Sequence, residues 1–426
     1  MFKSIRWVGF NVVKYYTLDD VETEDKLVLM RSDLNTPVDV SGNLIEKVRL
    51  EEATVSLRDL ADARAVVISH QGRVGRPDFI ELEKHAAILS QLLNKEVRYV
   101  ADIIGPQAIN EIKSLKRGEI LLLDNLRLLS EENLELSMEE AANTVFVKKL
   151  YSMFDLFVLD AFPTAHRSHP SIVGFPYYIP AIAGRLIVRE LKGLTRVTRF
   201  EKGPYTTVLG GTKVGDRIEA MTALIKNGKA DKVLATGRLG LLFLSAAGKL
   251  SPQLSDEETR YLAAARYLLD EYPSVIEMPH DLAYMGPDGQ RKEAEVKSVP
   301  KGVKVLDIGD KTIKRYSRII KGSGTVFISG PPSAFEIKGF ELGTEELLLS
   351  VAKSSATSIV SGGHLSTAMQ RLKIANWIDH VSTAGGALIQ YLSGKPLPLF
   401  EALEYSASRI KKNEYQEKVI LRQQEI

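Results

Sequence analysis

The sequence contains no cysteine, so disulfide bonds, thiol nucleophiles and zinc sites built from thiolates are excluded. Its charge is nearly balanced, with 56 basic and 54 acidic side chains and a formal net charge of +2. So small a net charge indicates neither a nucleic acid nor an anionic membrane as a partner. Any anion-binding site must therefore come from a local cluster of basic residues.

Long apolar runs are also missing, because no stretch of the sequence reaches the roughly 18 residues that a membrane-spanning helix needs. The opening residues 1–10 are mildly basic and apolar, but Arg6 interrupts any signal-like core. These absences favour a cytoplasmic protein with no membrane and no nucleic-acid partner. The sequence does not reveal the oligomeric state, and a monomer is our expectation.

What the chain contains is ordinary for a globular protein, with 44% hydrophobic and 26% charged residues over a length of 426 that favours two domains. Short aliphatic runs recur, each followed by a turn and a longer helical pattern, as in parallel sheets covered by helices on both faces. The runs of the first half are residues 27–30, 65–68, 97–100, 120–123 and 156–159. Those of the second half are residues 206–209, 232–235, 303–306, 325–328, 358–360 and 380–382.

An amphipathic segment at residues 183–194 separates the two sets of runs, and its period predicts one bridging helix. The sequence therefore predicts two doubly wound parallel-sheet α/β domains joined by that helix. We expect the domains at 1–184 and 201–403, the helix at 185–200, and a tail at 404–426 that could return to the first domain. Ligands of such sheets bind beyond the carboxyl ends of the strands, which makes those ends the places to search.

Basic side chains follow four of the strands predicted in the first half. They lie in residues 31–37, 69–73, 124–127 and 160–169, and Arg49 lies in the connection after the first strand. The planar fork of arginine suits phosphate and carboxylate oxygens. One arginine at a strand end is more often solvated or ion-paired, but four ends that converge at one sheet edge predict a site for a small polyanion.

Glycine-rich turns follow the strands predicted in the second half. The turns lie at residues 210–217, 236–240, 329–336, 361–364 and 383–386. Glycine before a helix lets backbone N–H groups approach a phosphate at the positive end of the helix dipole. Neither GxxxxGK[ST] nor GxGxxG occurs, so a P-loop or a Rossmann dinucleotide site is disfavoured, while the repeated turns favour a nucleotide.

Taken together, these segments resemble the phosphoglycerate kinase family from about residue 16 to about residue 403. The matches are residues 31–37 to R-x-D-x-N-x-P, 70–73 to H-x-G-R, 125–127 to N-x-R, 160–169 to D-A-F-x-T-A-H-R-x-H, 210–217 to G-G-x-K-V-x-D-K, 330–336 to G-P-x-x-x-F-E and 380–386 to H-x-S-T-G-G-G. The resemblance implies reversible phosphoryl transfer between 1,3-bisphosphoglycerate plus ADP and 3-phosphoglycerate plus ATP, in glycolysis and gluconeogenesis. It also implies Mg²⁺ as the companion of ADP or ATP.

The resemblance also implies a role for each matching residue. Arg49, Lys213 and Arg217 would be the catalytic cations, and Glu190 and His380 would be hinge residues. The phosphoglycerate would be bound by Asp33, Leu34, Asn35, Arg49, His70, Gln71, Gly72, Arg73, Arg127, His166 and Arg167. The nucleotide would be bound by Gly211, Lys213, Arg217, Gly237, Glu336, Gly362, Gly363, His364 and Leu365.

The implied reaction needs no general base, because its acceptor is a phosphate or carboxylate that is already ionised. Alignment of the reacting groups, and positive charge placed around the transferred phosphoryl group, suffice. The nucleotide-site motifs show archaeal-like departures: Ser329 replaces an asparagine, Arg217 a lysine and His364 an aspartate that helps hold the metal–nucleotide in the family. No protein ligand is therefore assigned to the magnesium, which we expect the nucleotide to carry.

Two other interpretations stay open. A relative that binds nucleotide or phosphoglycerate without turnover is motivated by Ser329 and His364, although Arg49 and Lys213 argue against it. A kinase for a different phosphorylated acid is the other, and the intact basic set argues against that.

Overall fold

The structure is a computed structural model that describes residues 15–410 other than 201, 383 and 393, with only the backbone at 195–200 and 392. The chain divides into two compact units, one comprising Met1–Lys192 with Pro396–Ile426 and the other Gly193–Lys395. Among the described residues, no helix combines the length and the apolar character needed to cross a membrane.

The first unit is built on a six-stranded sheet in which every pairing is parallel. Strands β1 to β6 are Leu27–Ser32, Arg64–Ile68, Val97–Val100, Ile120–Leu123, Leu156–Asp160 and Ala181–Ala183, in the spatial order β3-β4-β2-β1-β5-β6. Helices α1 to α7 are Val48–Asp59, Glu83–Leu93, Pro106–Ser114, Met138–Ala142, Val145–Leu150, Pro170–Val173 and Arg185–Phe200. Aliphatic side chains of α1 and α2 pack against β1 and β2 to form a core, which explains the unbroken apolar runs.

The second unit contains a six-stranded parallel sheet and a three-stranded antiparallel one. Strands β7 to β15 are Tyr205–Leu209, Lys232–Ala235, Ile276–Glu277, Asp281–Met285, Arg291–Glu295, Val305–Ile308, Thr325–Ser329, Thr357–Ser361 and His380–Ser382. The parallel order is β15-β14-β13-β7-β8-β9 and the antiparallel order is β11-β10-β12. Helices α8 to α15 are Val214–Lys226, Gly237–Ala246, Asp256–Thr259, Leu262–Glu271, Asp310–Lys321, Leu342–Ala352, Gly363–Leu372 and Gly386–Leu392.

The antiparallel sheet corrects one expectation. The run at residues 303–306 was expected in the parallel sheet, but the structure forms β12 two residues later and pairs it antiparallel with β10. A hairpin turn closed by Gly286 N–H donating to the carbonyl oxygen of Gln290 at 2.8 Å joins β10 to β11. Strand β11 reads Arg-Lys-Glu-Ala-Glu and is largely exposed, so hydrophobic periodicity does not reveal it.

Helix α7 contains the division between the units and begins on a buried carboxylate. Asp160, at the end of β5, accepts hydrogen bonds from the backbone N–H groups of Leu186 at 2.8 Å and Ile187 at 3.3 Å. Ser56 donates to the same carboxylate at 2.6 Å and accepts from Arg185 N–H at 2.7 Å. These contacts satisfy N–H groups that have no partner within the helix, and they fix the start of α7 to the first unit.

The segment from residue 396 onward belongs to the first unit, and residues 398–410 are helical. Leu399 N–H donates to the carbonyl oxygen of Ala165 at 3.2 Å, and the Phe400 ring lies 6.2 Å from that of Phe162. Ala181 N–H donates to Ser406 Oγ at 2.7 Å, which joins the segment to β6. The remainder of the predicted tail, residues 411–426, lies outside the described residues.

Candidate active site

Arg31 lies near the carboxyl end of β1, and its side chain is buried. Its Nε donates to Ser171 Oγ at 2.9 Å, and its Nη2 lies 3.1 Å from Nδ1 of His70. The buried carboxylate of Glu132 lies 3.9 Å from Nη2 and accepts a hydrogen bond from Ser171 Oγ. Burial lowers the pKa of Arg31, and Glu132 partly offsets that effect. Sequence reasoning missed Arg31 as a site residue, although it opens the R-x-D-x-N-x-P motif.

His70 follows β2 and is held as a neutral imidazole. Burial lowers its pKa well below the ordinary value, and the charges of Arg31, Arg127 and Arg49 lower it further. Because a guanidinium can only donate, Nδ1 must accept from Arg31, and the proton of the neutral ring lies on Nε2. His70 can therefore offer one N–H donor to an anion without adding a charge.

The turns after β1 and β2 are interlocked by side-chain amides. Asn35 Oδ1 accepts from Gly72 N–H at 2.8 Å, and Gln71 Oε1 accepts from Thr36 N–H at 3.0 Å. Gln71 Nε2 in turn donates to the carbonyl oxygens of Thr36 and Asp78. Gly72 has φ +67°, and a Cβ there would lie 2.0 Å from the Asp78 carbonyl oxygen, so only glycine fits.

Arg49 and Asp33 form an ion pair beside these turns, with Nη1 and Oδ2 2.8 Å apart. The Asp33 side chain is buried, whereas a quarter of the Arg49 side chain is exposed. Asp33 Oδ1 also accepts from Asn35 N–H at 3.1 Å. Arg49 lies in the first turn of α1, so the pair joins that helix to the turn after β1 and leaves part of the guanidinium open to solvent.

A cavity of about 870 Å³ opens beside this group in the first unit. Its lining includes Arg73, Arg127, Arg167 and His169, with Glu135 as its acidic residue. Burial lowers the pKa of Arg127, and the like charges of Arg31 and Arg73 lower it further. Unbalanced positive charge of this kind is neutralised by an anion that carries several oxygens. Sequence reasoning missed His169, whose only signal was the second histidine of the 160–169 motif.

Other expected phosphoglycerate ligands are placed differently. Leu34 is buried in the core and only its backbone N–H, which donates to Ser69 Oγ at 2.9 Å, lies at the turn. Gln71 is buried and holds turns together rather than lining the cavity. His166 is half-buried and is not among the residues that line the cavity.

The second unit has its own cavity, of about 520 Å³, at the carboxyl ends of β7, β8 and β13. Gly211, Gly237, Glu336 and His364 line it, together with apolar residues. The apolar lining includes Leu241, Pro252, Pro279, Leu282, Val305 and Ile308. An apolar slot with glycine turns at its rim suits a flat base attached to phosphates.

Backbone hydrogen bonds close the glycine turns against one another. Gly211 N–H donates to the carbonyl oxygen of Pro331 at 2.8 Å, and Gly237 N–H donates to that of Pro332 at 3.1 Å. Gly330 has φ +77°, and a Cβ there would lie 2.4 Å from the Gly210 carbonyl oxygen. The turns after β7, β8 and β13 are thereby held as one surface.

Lys213 is the N-cap residue at the amino end of α8, and Arg217 lies at the end of the first turn of that helix. Lys213 is exposed and immediately precedes the helix. Arg217 Nη1 donates to Ser329 Oγ at 2.7 Å, and its Nε donates to the Gly210 carbonyl oxygen at 3.2 Å. Burial lowers the pKa of Arg217 to about 10, which leaves it charged at neutral pH. Two of the departures from the family motifs, Arg217 and Ser329, are thus direct partners.

Helix α14 presents its amino end beside the cavity. Gly362 precedes it with φ +113°, and no side chain among the described residues caps the N–H groups of the first turn, which have no partner within the helix. His364 is exposed, with its ring 6.2 Å from that of Phe335. The Leu365 side chain is buried in the core, so only its backbone is available to a ligand.

The two expected hinge residues are both buried, each in its own unit. Glu190 lies in α7. His380 begins β15, and its ring lies against Gly193 of α7, where a Cβ would be 2.0 Å from Nδ1. A glycine in that helix is therefore required by the position of the histidine.

The first α/β unit has a cationic cavity, and the second has a glycine-lined cavity beside the amino end of a helix. These features are those of a phosphotransferase. A family model described as phosphoglycerate kinase matches residues 18–395. The chain therefore belongs to the phosphoglycerate kinase family, and its reaction is the phosphoryl transfer of that family.

Individual relatives agree with this assignment. Phosphoglycerate kinase 1 of Methanosarcina acetivorans is 40% identical over 401 residues, which cover 93% of this chain and 97% of that protein. The phosphoglycerate kinase of Methanobacterium bryantii is 40% identical and covers 91% and 97% of the two chains. The crystal structure of phosphoglycerate kinase from Pyrococcus horikoshii OT3 superposes with a TM-score of 0.85 at 35% identity, over 92% of this chain and 99% of the other.

The neutral state of His70 leads to a prediction about stability. Acidification from pH 7 to pH 5 should lower the free energy of unfolding, and His70→Gln should reduce that loss. In the unfolded chain a histidine takes up a proton below about pH 6.5, whereas the folded protein holds His70 neutral to lower pH. The unfolded state then binds more protons, so unfolding becomes easier as the pH falls.

Urea unfolding at a series of pH values measures this dependence. The exposed His364 provides the control variant, His364→Gln. A His70→Gln variant whose stability falls with acid as steeply as that of the unaltered protein would contradict the assignment.

Proposed function

We propose that the chain transfers a phosphoryl group between 1,3-bisphosphoglycerate and ADP, and in reverse between ATP and 3-phosphoglycerate. In this proposal the phosphoglycerate binds in the basic cavity of the first unit and the nucleotide in the glycine-lined cavity of the second. The observation that carries it is the convergence of Arg73, Arg127, Arg167 and His169 on one cavity. Membership of the family supports the choice of substrate.

The phosphoglycerate is proposed to meet two kinds of group. Arg73, Arg127 and Arg167 offer charged forks to its phosphate oxygens. Neutral His70 offers an Nε2–H donor, and Asn35 has an Nδ2 group with no hydrogen-bond partner among the described residues. Gln71 and Gly72 hold the surrounding turns, and Asp33 holds Arg49. Leu34 and His166 stay proposed contacts of the phosphoglycerate.

The nucleotide is proposed to lie with its base in the apolar slot and its phosphates at the glycine turns. Exposed Glu336 lies at the cavity and can accept hydrogen bonds from the ribose hydroxyl groups. Gly211 and Gly237 let the backbone approach the phosphates, while Gly362 to Leu365 supply the amino end of α14. Lys213 and Arg217 add positive charge from the amino end of α8.

The chemistry asks the protein for position and charge rather than for proton transfer. Arg49, Lys213 and Arg217 are proposed to neutralise the negative charge that spreads over the transferred group. No set of three His, Asp or Glu side chains in the described part of the chain gathers into a metal-binding cluster. Mg²⁺ is proposed to enter as part of the nucleotide substrate, to which it adds positive charge at the phosphate oxygens. A cytoplasmic monomer remains the proposed form of the enzyme.

Activity and the role of Arg49 are tested together. A coupled assay with 3-phosphoglycerate and MgATP should show turnover, and Arg49→Ala should lower kcat by about 10²–10³-fold with little change in KM. The cause is loss of charge stabilisation that is met mainly in the transition state. Arg49→Lys is the matched variant, and it should recover part of the rate because the charge is retained.

An absence of turnover in the unaltered protein, with ligand binding retained, would favour the non-enzymatic alternative. Turnover with another phosphorylated acid in place of 3-phosphoglycerate would favour the alternative of a kinase for a different phosphorylated acid. Near-normal kcat in Arg49→Ala would remove that arginine from the mechanism.

His364 tests how the metal–nucleotide is held. If the nucleotide phosphates and water complete the magnesium shell, His364→Asp should keep or raise activity and should tighten the binding of MgADP, because it adds a hard oxygen ligand. Calorimetric titration of MgADP against both proteins measures the change, and titration with metal-free ADP is the control. Loss of activity in a folded His364→Asp variant would show that the imidazole has a positive role.

The hinge assignment of Glu190 and His380 stays a proposal. Phosphoryl transfer brings the bound ligands together and must exclude water, so binding of both ligands is expected to compact the molecule. Small-angle scattering should show a smaller radius of gyration with both ligands than with either alone. The double variant Glu190→Gln, His380→Gln should change the ligand dependence of that radius, and normal scattering and kinetics in this variant would remove both residues from the hinge.

A further inference from the structure

Glu135 is a carboxylate placed among the cations of the first cavity. It follows the short 3-10 turn Ser130–Asn133 and lines the cavity together with Arg73, Arg127, Arg167 and His169. Its side chain is about half exposed, at 46%. The cavity is otherwise suited to anions, so a negative charge on its wall requires an explanation.

The two oxygens of Glu135 make different contacts. Oε2 accepts from the backbone N–H of Ser168 at 2.7 Å and from its hydroxyl group at 2.9 Å. Oε1 lies 3.1 Å from Nη1 of Arg167 and 3.4 Å from Nε2 of His169. The first oxygen therefore holds the turn, and the second occupies a guanidinium donor of Arg167 and lies close to the His169 ring.

The structural part of this arrangement does not need a charge. A glutamine at position 135 keeps a carbonyl oxygen that can accept from Ser168. The neighbouring Glu132 differs, because it is buried and its charge is matched by the buried Arg31 at 3.9 Å. The charge of Glu135 instead faces the solvent-accessible side, where an arriving anion would meet it.

We propose that Glu135 is a competing carboxylate, which holds Arg167 and His169 in the empty cavity and limits how tightly the cavity retains its anionic ligand. The inference rests on the proposal that this cavity binds phosphoglycerate. A ligand phosphate must displace Oε1 from Arg167 or share that donor, and it is repelled by the carboxylate in either case. Weaker retention favours release of the product, the step that limits turnover in many enzymes.

The test compares Glu135→Gln with the unaltered protein. Removal of the charge should tighten the binding of 3-phosphoglycerate, and of inorganic phosphate, by about two- to fivefold, as expected for a partly exposed ion pair. The KM for 3-phosphoglycerate should fall by a similar factor, kcat should stay constant or fall, and the KM for MgATP should not change. The gain should shrink as potassium chloride is raised, because salt screens exposed charges.

Glu139→Gln is the matched control, since it removes the same charge from α4 at a side chain that makes no hydrogen bond or ion pair among the described residues. Glu135→Ala is a second neutral variant, which removes the acceptor for Ser168 as well as the charge, and Glu135→Asp keeps the charge. Thermal unfolding checks that each variant is folded.

Calorimetry without nucleotide separates the outcomes. Tighter binding in both neutral variants, with Glu139→Gln unchanged, supports the proposal. Equal binding in all variants overturns it while the proposed function stands. Weaker binding in the neutral variants also overturns it, and would make Glu135 a residue that orients Arg167. If the unaltered protein binds no 3-phosphoglycerate, the proposed function of the cavity fails together with this inference.

Discussion

The first site depends on the contacts that the buried guanidinium of Arg31 makes. A charge removed from water needs a counter-charge and hydrogen bonds for its donors, and these come from Glu132, Ser171 and His70. The partners lie in three different connections of the sheet, so satisfying one side chain fixes several turns at once. The neutral state of His70 follows from the same arrangement, since a protonated ring would face the guanidinium. The electrostatic character of the site is therefore determined by these buried side chains.

The second site is organised by the backbone instead. Its glycine turns are joined by N–H to carbonyl hydrogen bonds, and its cations Lys213 and Arg217 lie at the amino end of α8, while α14 presents its own amino end beside the cavity. Arg217 and Ser329, two of the departures from the family motifs, contact one another, because Nη1 of Arg217 donates to Ser329 Oγ. Sequence reasoning named the two departures separately, and only the structure shows that they are in contact.

The parallel sheets and the order of the motifs could be predicted, because buried strands give unbroken apolar runs and strand ends gather at one edge. The antiparallel sheet could not, since the charged and largely exposed residues of β11 resemble a loop. The directions and contacts of individual side chains could not be predicted from the sequence either. Arg31 and Ser171 are separated by 140 positions in the chain, and no spacing rule joins them. Leu34 was likewise grouped with ligands because it lies in a motif, whereas its side chain belongs to the core.

The return of residues 396–410 to the first unit has a consequence for synthesis of the chain. The second unit is continuous from Gly193 to Lys395, whereas the first is interrupted by it. Because domains tend to fold as they leave the ribosome, the inserted unit can finish before its host. Until residues 396–410 have been synthesised, β6 lacks its hydrogen bond to Ser406, and the ring of Phe162 is not covered by that of Phe400. The first unit can therefore complete its fold only after the second unit has been synthesised.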